Sequence, residues 1–144
     1  MTDVSESETL LAGLRARLPQ RPPDHVAGHD YYDCGYDFGP PAGTAAVRAA
    51  VLLPLIGGRD PALLLTLRTK NLARHSGQVS FPGGRSEARD LSAAGTALRE
   101  TMEETGIAPD FVSVAGYLDR YVTRTRFDIQ PVVGVLAQGF ALAP

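Results

Sequence analysis

The chain has 144 residues, enough for one domain with a real core. Hydrophobic residues make up 44% and charged residues 21%, and the formal net charge is −2, so no global field draws the protein to nucleic acid or to an anionic membrane. The single cysteine, Cys34, excludes an intramolecular disulfide and a cysteine-based zinc cluster.

The first residues, MTDVSESETL, are acidic and polar and do not read as a signal peptide; the longest apolar run, AAVLLPLIGG, is too short to span a bilayer. With one free cysteine, a reducing compartment is the simplest setting, and the cytoplasm is the expected location. Residues 5–18 place Leu10, Leu11, Leu14 and Leu18 at helical spacing, with Pro19 as a stop, and predict a short amphipathic helix. Residues 19–46, rich in Pro, Gly, Asp and Tyr, show no period and read as an irregular arm. Its His25, His29 and Asp30 lack further ligands at suitable spacing, and Cys34 lacks an activating neighbour; all four read as plain loop residues. The expected division is therefore 1–46, helix and arm, and 47–144, the compact domain.

VRAAVLLPLI (47–56) predicts a buried strand, which Pro54 restricts to an edge or a bulge. GGRDP is a turn, and ALLLTLRT is a second strand that would close a hairpin. Residues 70–90 form a long loop with one short strand, QVSF, followed by a double-glycine turn at Gly83 and Gly84. A helix is predicted over 92–105, capped by Asp90 or Ser92 and stopped by Gly106 and Pro109. FVSVAGYL and FDIQPVVGVL are two further strands joined by DRYVTRTR. Strands with intervening helices give an α/β or α+β sandwich.

The end of the 92–105 helix, RETMEETGI, is costly as it stands. Carboxylates near a helix C-terminus face the negative end of the dipole, at about 0.3–1 kcal/mol each. Glu100 and Glu104 repel at i,i+4 by a further ~0.2–0.5 kcal/mol. At 100° per residue Glu100, Glu103 and Glu104 fall in one narrow arc, while Ala94, Leu98, Thr101, Met102 and Thr105 gather opposite as the packing face. Three oxygen donors on one rigid face suit a hard divalent cation, Mg²⁺ or Mn²⁺, which would reverse the electrostatic cost. The competing reading is a solvated acidic face. The glycine pair upstream favours the metal reading, because glycines let a backbone take φ > 0 and approach a ligand closely.

GGRSEARDLSAAGTALRETMEETGI resembles the Nudix box: Gly, five residues, Glu, seven residues, Arg-Glu, an aliphatic, any residue, Glu-Glu, any residue, Gly, an aliphatic. Arg99, Glu100, Glu103, Glu104, Gly106 and Ile107 match directly; Thr101 takes the aliphatic slot, and Asp90 stands at the first acidic position with eight residues before Arg99. Upstream, LLLTLRTKNLARHSGQVSFPGG is similar to the signature that precedes the box in coenzyme A diphosphatases. Leu64, Leu65, Thr66, Arg68, Gly77, Phe81, Pro82, Gly83 and Gly84 match, Thr69 replaces a serine, and Ala73 stands where the pattern has an arginine, with Arg74 one place on. The resemblance covers about residues 47–137.

It implies the Nudix fold, a mixed β-sheet sandwiched between helices. It also implies metal-dependent cleavage of the coenzyme A diphosphate to 3′,5′-ADP and 4′-phosphopantetheine. Mg²⁺ or Mn²⁺ would be held by Glu100 and Glu104 with Glu103 beside them, Glu104 also activating water, and Arg99 orienting Glu103 or Asp90. Glu87 and Asp90 read as loop solubility and N-capping. Gly83 and Gly84 would let the backbone close on the substrate, with Arg68, Lys70, Arg74 and His75 in reach of phosphate oxygens. DRYVTRTRFD interleaves Arg120, Arg124 and Arg126 with Tyr121 and Phe127. It is either a clamp for an adenine ring and a 3′-phosphate, with Arg124 as a contact, or a basic connecting loop. Family members usually continue beyond PVVGVLAQGFALAP through further strands and a helix. A C-terminally short domain is therefore expected, with the missing edge an occasion for a homodimer. The alternatives are a Nudix hydrolase of another nucleoside diphosphate derivative, such as ADP-ribose, NADH or a dinucleoside polyphosphate, and a catalytically impaired binding or regulatory module.

Overall fold

A computed structural model of the chain describes residues 4–24, 45–67, 77–123 and 126–143. Helix α1 spans Val4–Arg15 and strand β1 spans Val47–Ile56. Three two-residue strands follow, β2 (Ala62–Leu63), β3 (Thr66–Leu67) and β4 (Val79–Ser80), and then β5 (Gly83–Arg85). Helix α2 is Ala93–Thr105, and a 3₁₀ turn at Pro109–Phe111 leads into β6 (Val112–Tyr117), β7 (Tyr121–Val122) and β8 (Phe127–Leu136).

One mixed sheet carries the fold, in the order β2-β1-β8-β6, with β5 also on β1 and β7 on β8. β1 and β8 run parallel for ten residues, from Val47↔Phe127 to Ile56↔Leu136, and β6 returns antiparallel to β8. Helix α2 covers one face. Ala50 and Leu52 of β1, Val132 of β8 and Ala97 of α2 form a fully buried cluster, edged by Ala93, Ala94 and Leu98. The chain is thus α+β with a mixed sheet and helices, as its composition of elements predicts.

β1 is central, not an edge strand, and the way it tolerates Pro54 is instructive. Leu52 N–H donates to Pro82 O and Pro54 O accepts from Leu64 N–H, so even-numbered residues of β1 turn their polar groups toward β5 and β2. On that side β5 pairs with residues 49–51 and β2 with 55–56, and Pro54 falls in the gap between them. The same proline cuts short the predicted ALLLTLRT strand. After Leu55↔Leu63 the next pair, Pro54 with Leu64, needs a bond from the N–H that proline lacks. The chain leaves the main sheet and starts again as β3, which pairs with β4 in a separate two-stranded sheet.

The predicted double-glycine turn is instead strand β5, antiparallel to β1 with Gly84 opposite Ala50, and neither Gly83 nor Gly84 has a positive φ. Their glycine character answers to space: a Cβ on Gly83 would lie 2.6 Å from Val51 Cα.

Helix α2 begins where expected. Ser92 is its N-cap, its Oγ accepting from Gly95 N–H at 3.0 Å, and Gly106 ends it with φ 77° and an N–H donated to Met102 O. Asp90 is not the cap. The buried stripe is Thr96, Ala97, Thr101 and Thr105, whereas Met102, expected on the packing face, is 51% exposed. Thr101 can fill an aliphatic position because its Oγ1 donates to Ala97 O at 2.7 Å, and Thr105 repeats the device on Thr101 O.

The outer edge of β6, which could have stood open to another chain, is covered by the chain's own N-terminal segment. Arg15 donates two N–H groups to Val114 O, Gln20 Nε2 donates to Ala115 O, and Tyr117 N–H donates to Pro19 O. Among the described residues no helix is long and apolar enough to cross a membrane.

Candidate active site

The acidic end of α2 lies against β5. Helical spacing puts Glu100 over Gly84, and the contact is close enough that a Cβ on Gly84 would meet both Glu100 carboxylate oxygens at 2.6 Å. Only glycine leaves that seat for the carboxylate. Glu103 and Glu104 continue the face one turn on, both exposed to solvent.

Arg99 organises this face from the side. Its Nη1 donates to Glu100 Oε1 at 2.8 Å and to Glu103 Oε1 at 3.3 Å, so one guanidinium lies between two like charges. Its Nη2 also donates to Arg85 O at 2.8 Å, which ties the helix to β5. The other fork of the guanidinium grips Asp90, Nε to Oδ1 at 2.9 Å and Nη2 to Oδ2 at 3.0 Å. Asp90 is only 6% exposed, and its Oδ2 also accepts from Thr96 Oγ1 at 2.9 Å and Glu87 N–H at 2.8 Å. The Arg99 hydrogen bonds, helped by that backbone bond, hold the Asp90 carboxyl well below the usual carboxylate range despite its burial. Asp90 is therefore an anchor for Arg99, not a solubilising loop acid. Thr96 was missed in sequence because a threonine among alanines on a packing face gives no polar signal. Arg85 was missed as well; its guanidinium lies 5.1 Å above the Phe127 ring.

The donor chemistry fits a divalent cation: carboxylate oxygens are hard ligands of the kind Mg²⁺ and Mn²⁺ select, and the Gly84 seat brings one of them to the foot of the site. As the side chains stand, no three His, Cys, Asp or Glu groups among the described residues converge as a ready-made cage, and the Arg99 cation holds Glu100 and Glu103 instead. Of the predicted substrate contacts, Gly83 and Gly84 are brought to the acidic helix through β5. Arg68, Arg74, His75 and Arg124 lie outside the described residues, as do Lys70, Ala73, His25, His29, Asp30 and Cys34. Arg120 is paired with Asp128 at 3.0 Å.

A cleft of about 490 Å³ opens at the other end of α2, lined by Arg48, Asp90, Ser92 and Gln130 among others, and does not include the three glutamates. Gln130 is 5% exposed, and its Oε1 has no hydrogen-bond partner among the described residues. An unpaired buried acceptor costs about 1–3 kcal/mol.

Comparison with known proteins bears on the family and the fold. The pattern of the NUDIX domain matches residues 46–139. The uncharacterized Nudix hydrolase NudL of Yersinia pestis (strain Pestoides F) is 39% identical over 123 residues, covering 85% of this chain and 56% of that protein. NudL of Pectobacterium atrosepticum is 47% identical over 90 residues, 62% of this chain and 47% of that protein. The chain thus spans about half the length of the curated relatives it matches. Among solved structures, RenU, a Nudix hydrolase from M. smegmatis, superposes with a TM-score of 0.57 at 18% identity, covering 70% of this chain and 68% of that one. A NUDIX hydrolase from Alicyclobacillus acidocaldarius gives 0.55 at 23% identity, covering 72% and 76%. These superpositions establish a shared fold.

Proposed function

Because the chain belongs to the Nudix family, we propose that it is a hydrolase that cleaves the diphosphate of coenzyme A or its derivatives to 3′,5′-ADP and 4′-phosphopantetheine. The observation that carries the site is the Gly84 seat under Glu100. The choice of coenzyme A is supported by LLLTLRTKNLARHSGQVSFPGG, the stretch that resembles the signature of that subfamily.

In this reading Glu100 and Glu104 hold Mg²⁺ or Mn²⁺, with Glu103 beside them. When bound, the cation neutralises diphosphate charge and lowers the pKa of water. The protein's own groups do the rest. Glu104 Oε accepts the proton released by the attacking water. Arg99, fixed by Asp90, holds Glu100 and Glu103 at a set spacing, so their mutual repulsion does not splay the face. Gly83 and Gly84 hold the β5 backbone close against β1 and the Glu100 carboxylate, so that the backbone itself borders the diphosphate site, and Arg68, Arg74, His75 and Arg124 supply positive charge or donors to its phosphates. The setting is cytoplasmic. A homodimer would form away from the covered edge of β6.

A second reading is favoured by Ala73, which stands where the signature has an arginine: hydrolysis of another nucleoside diphosphate derivative. One experiment separates the readings. The protein is incubated with Mg²⁺ or Mn²⁺ and, in turn, coenzyme A, ADP-ribose, NADH and diadenosine polyphosphates, and the products are followed, with Glu104→Gln as control. The expected result is preferred turnover of coenzyme A and a kcat lowered by orders of magnitude in the variant. Preferred cleavage of ADP-ribose would sink the coenzyme A assignment. Turnover of nothing would leave a binding module, and near-normal kcat in Glu104→Gln would remove the metal assignment.

A further inference from the structure

Three threonines lie buried on α2, and two of them satisfy their hydroxyls within the helix. Thr101 Oγ1 donates to Ala97 O and Thr105 Oγ1 to Thr101 O, each at 2.7 Å. Thr96 has the same kind of local partner in Ser92 O, yet its Oγ1 stands 3.4 Å away from it. That oxygen lies closer to two groups outside the helix, 2.9 Å from Asp90 Oδ2 and 3.0 Å from Ser86 Oγ. We propose that Thr96 is a positioning residue for the acidic face: its hydroxyl, acting through Asp90 and Arg99, sets the spacing of Glu100 and Glu103. The proposal rests on reading that face as the metal-binding one.

A hydroxyl has one proton, and that decides the direction of the bonds. An ionised carboxylate only accepts, and the Arg99 hydrogen bonds keep Asp90 ionised. The Thr96 proton therefore goes to Asp90 as a charge-assisted bond. Ser86 Oγ is left to supply its own proton to the Thr96 oxygen. Ser86 is itself tied to the sheet, its N–H donating to Arg48 O at 3.0 Å. Thr96 is 0% exposed, so water does not compete for its hydroxyl.

Asp90 needs this further hold. Its fork with Arg99, Nε to Oδ1 at 2.9 Å and Nη2 to Oδ2 at 3.0 Å, sets carboxylate and guanidinium in one planar pair. A planar pair still swings as a unit, because each side chain turns about its own bonds. Thr96 and Arg99 stand at i and i+3 on one face of α2, so the helix grips Asp90 at two points. Glu87 N–H holds it from the loop at 2.8 Å. With the pair locked, Arg99 Nη1 is presented at a set place, 2.8 Å from Glu100 Oε1 and 3.3 Å from Glu103 Oε1. Without the Thr96 hydroxyl the helix loses its second grip, and Nη1 drifts against the two carboxylates. Packing alone would be served as well by valine.

The hydroxyl is separated from the methyl by comparing Thr96→Val, which keeps the shape, with Thr96→Ser, which keeps the hydroxyl, both in the intact chain. The first readout is the Arg99 Nε–H resonance in the absence of metal, assigned by its loss in Arg99→Lys. Its exchange with solvent should be roughly tenfold faster in Thr96→Val and close to the parent's in Thr96→Ser. The second readout is Mn²⁺ affinity by titration calorimetry. It should weaken by roughly tenfold in Thr96→Val, the size usual for groups that orient metal ligands, and be retained in Thr96→Ser. Unchanged Nε–H exchange in Thr96→Val overturns the proposal, as does faster exchange with unchanged Mn²⁺ affinity. Equal losses in the valine and serine variants would trace the effect to the methyl and overturn it too. Should valine prevent folding, Thr96→Ala and Thr96→Ser differ by the hydroxyl alone and give the same decision. A parent that binds no Mn²⁺ would sink the metal reading, while the exchange comparison, which needs no metal, still decides whether Thr96 holds Arg99.

Discussion

Two adjacent glycines do different work, and substitution separates them. An alanine at Gly84 puts a methyl into the Glu100 carboxylate, the far end of a flexible side chain that can swing away. The fold should survive with little change in melting temperature, while the displaced carboxylate costs roughly 10²-fold in kcat, as expected for a misplacement near 1 Å. An alanine at Gly83 meets the backbone of Ala50 and Val51, which cannot swing, and should cost about 1–3 kcal/mol in a denaturant titration. Equal loss of stability in the two variants would show that the Glu100 seat is not special. Asp90 supplies the second test at this scale. Its folded carboxyl titrates well below the ordinary 3.8, so the folded state favours the deprotonated form. The stability it contributes is fully present above pH ~4 and drains away as pH falls below that value. Asp90→Asn should lower stability at neutral pH and flatten the acid limb of the stability curve. An unchanged acid limb would mean that another carboxylate dominates it.

At the scale of elements, α2 was legible because its signals are local. Ser92, Gly106 and the 100° arc of the glutamates lie within one continuous stretch, and the structure keeps all three. The Asp90 anchor was half legible: the nine residues to Arg99 span a loop and most of a helix, and only folding decides which oxygen meets which N–H. β5 was misread because a glycine pair signals a turn, whereas these glycines serve close approach to β1 and to Glu100. Met102 was misassigned because the buried stripe is set by where the sheet lies, and the arc alone does not fix that. Local signals also predict local effects. Ser92→Ala removes the Oγ that caps Gly95 N–H and should cost about 1 kcal/mol in a denaturation midpoint. Tertiary packing of α2 on Ala50, Leu52 and Val132 should keep the helix in place, so kcat stays close to that of the parent. A large loss of kcat with no loss of stability would show that the cap does more than hold the helix.

For the molecule as a whole, the contact least visible in sequence joins residues about a hundred positions apart. β6 flanks the sheet, and an uncovered outer strand is a template for pairing with another chain. Here Val114 O, Ala115 O and Tyr117 N–H are answered by Arg15, Gln20 and Pro19. Gly116 makes room for the segment, since a Cβ there would lie 2.6 Å from Leu18 Cβ. No residue of the N-terminal helix is fully buried, although Leu10, Leu11 and Leu14 are half-buried, so these polar contacts share its hold on the sheet with a modest apolar face. Removing residues 1–20 takes all of them away at once. The shortened chain should associate in a concentration-dependent way that the intact chain does not show at matched concentration, read by light scattering after size exclusion. Gln20→Ala alone keeps the Pro19–Tyr117 bond and the Arg15 fork, so it should behave like the intact chain. If the shortened protein keeps the parent's mass across the same concentrations, β6 is protected by something other than this segment, and the N-terminal helix must be there for another reason.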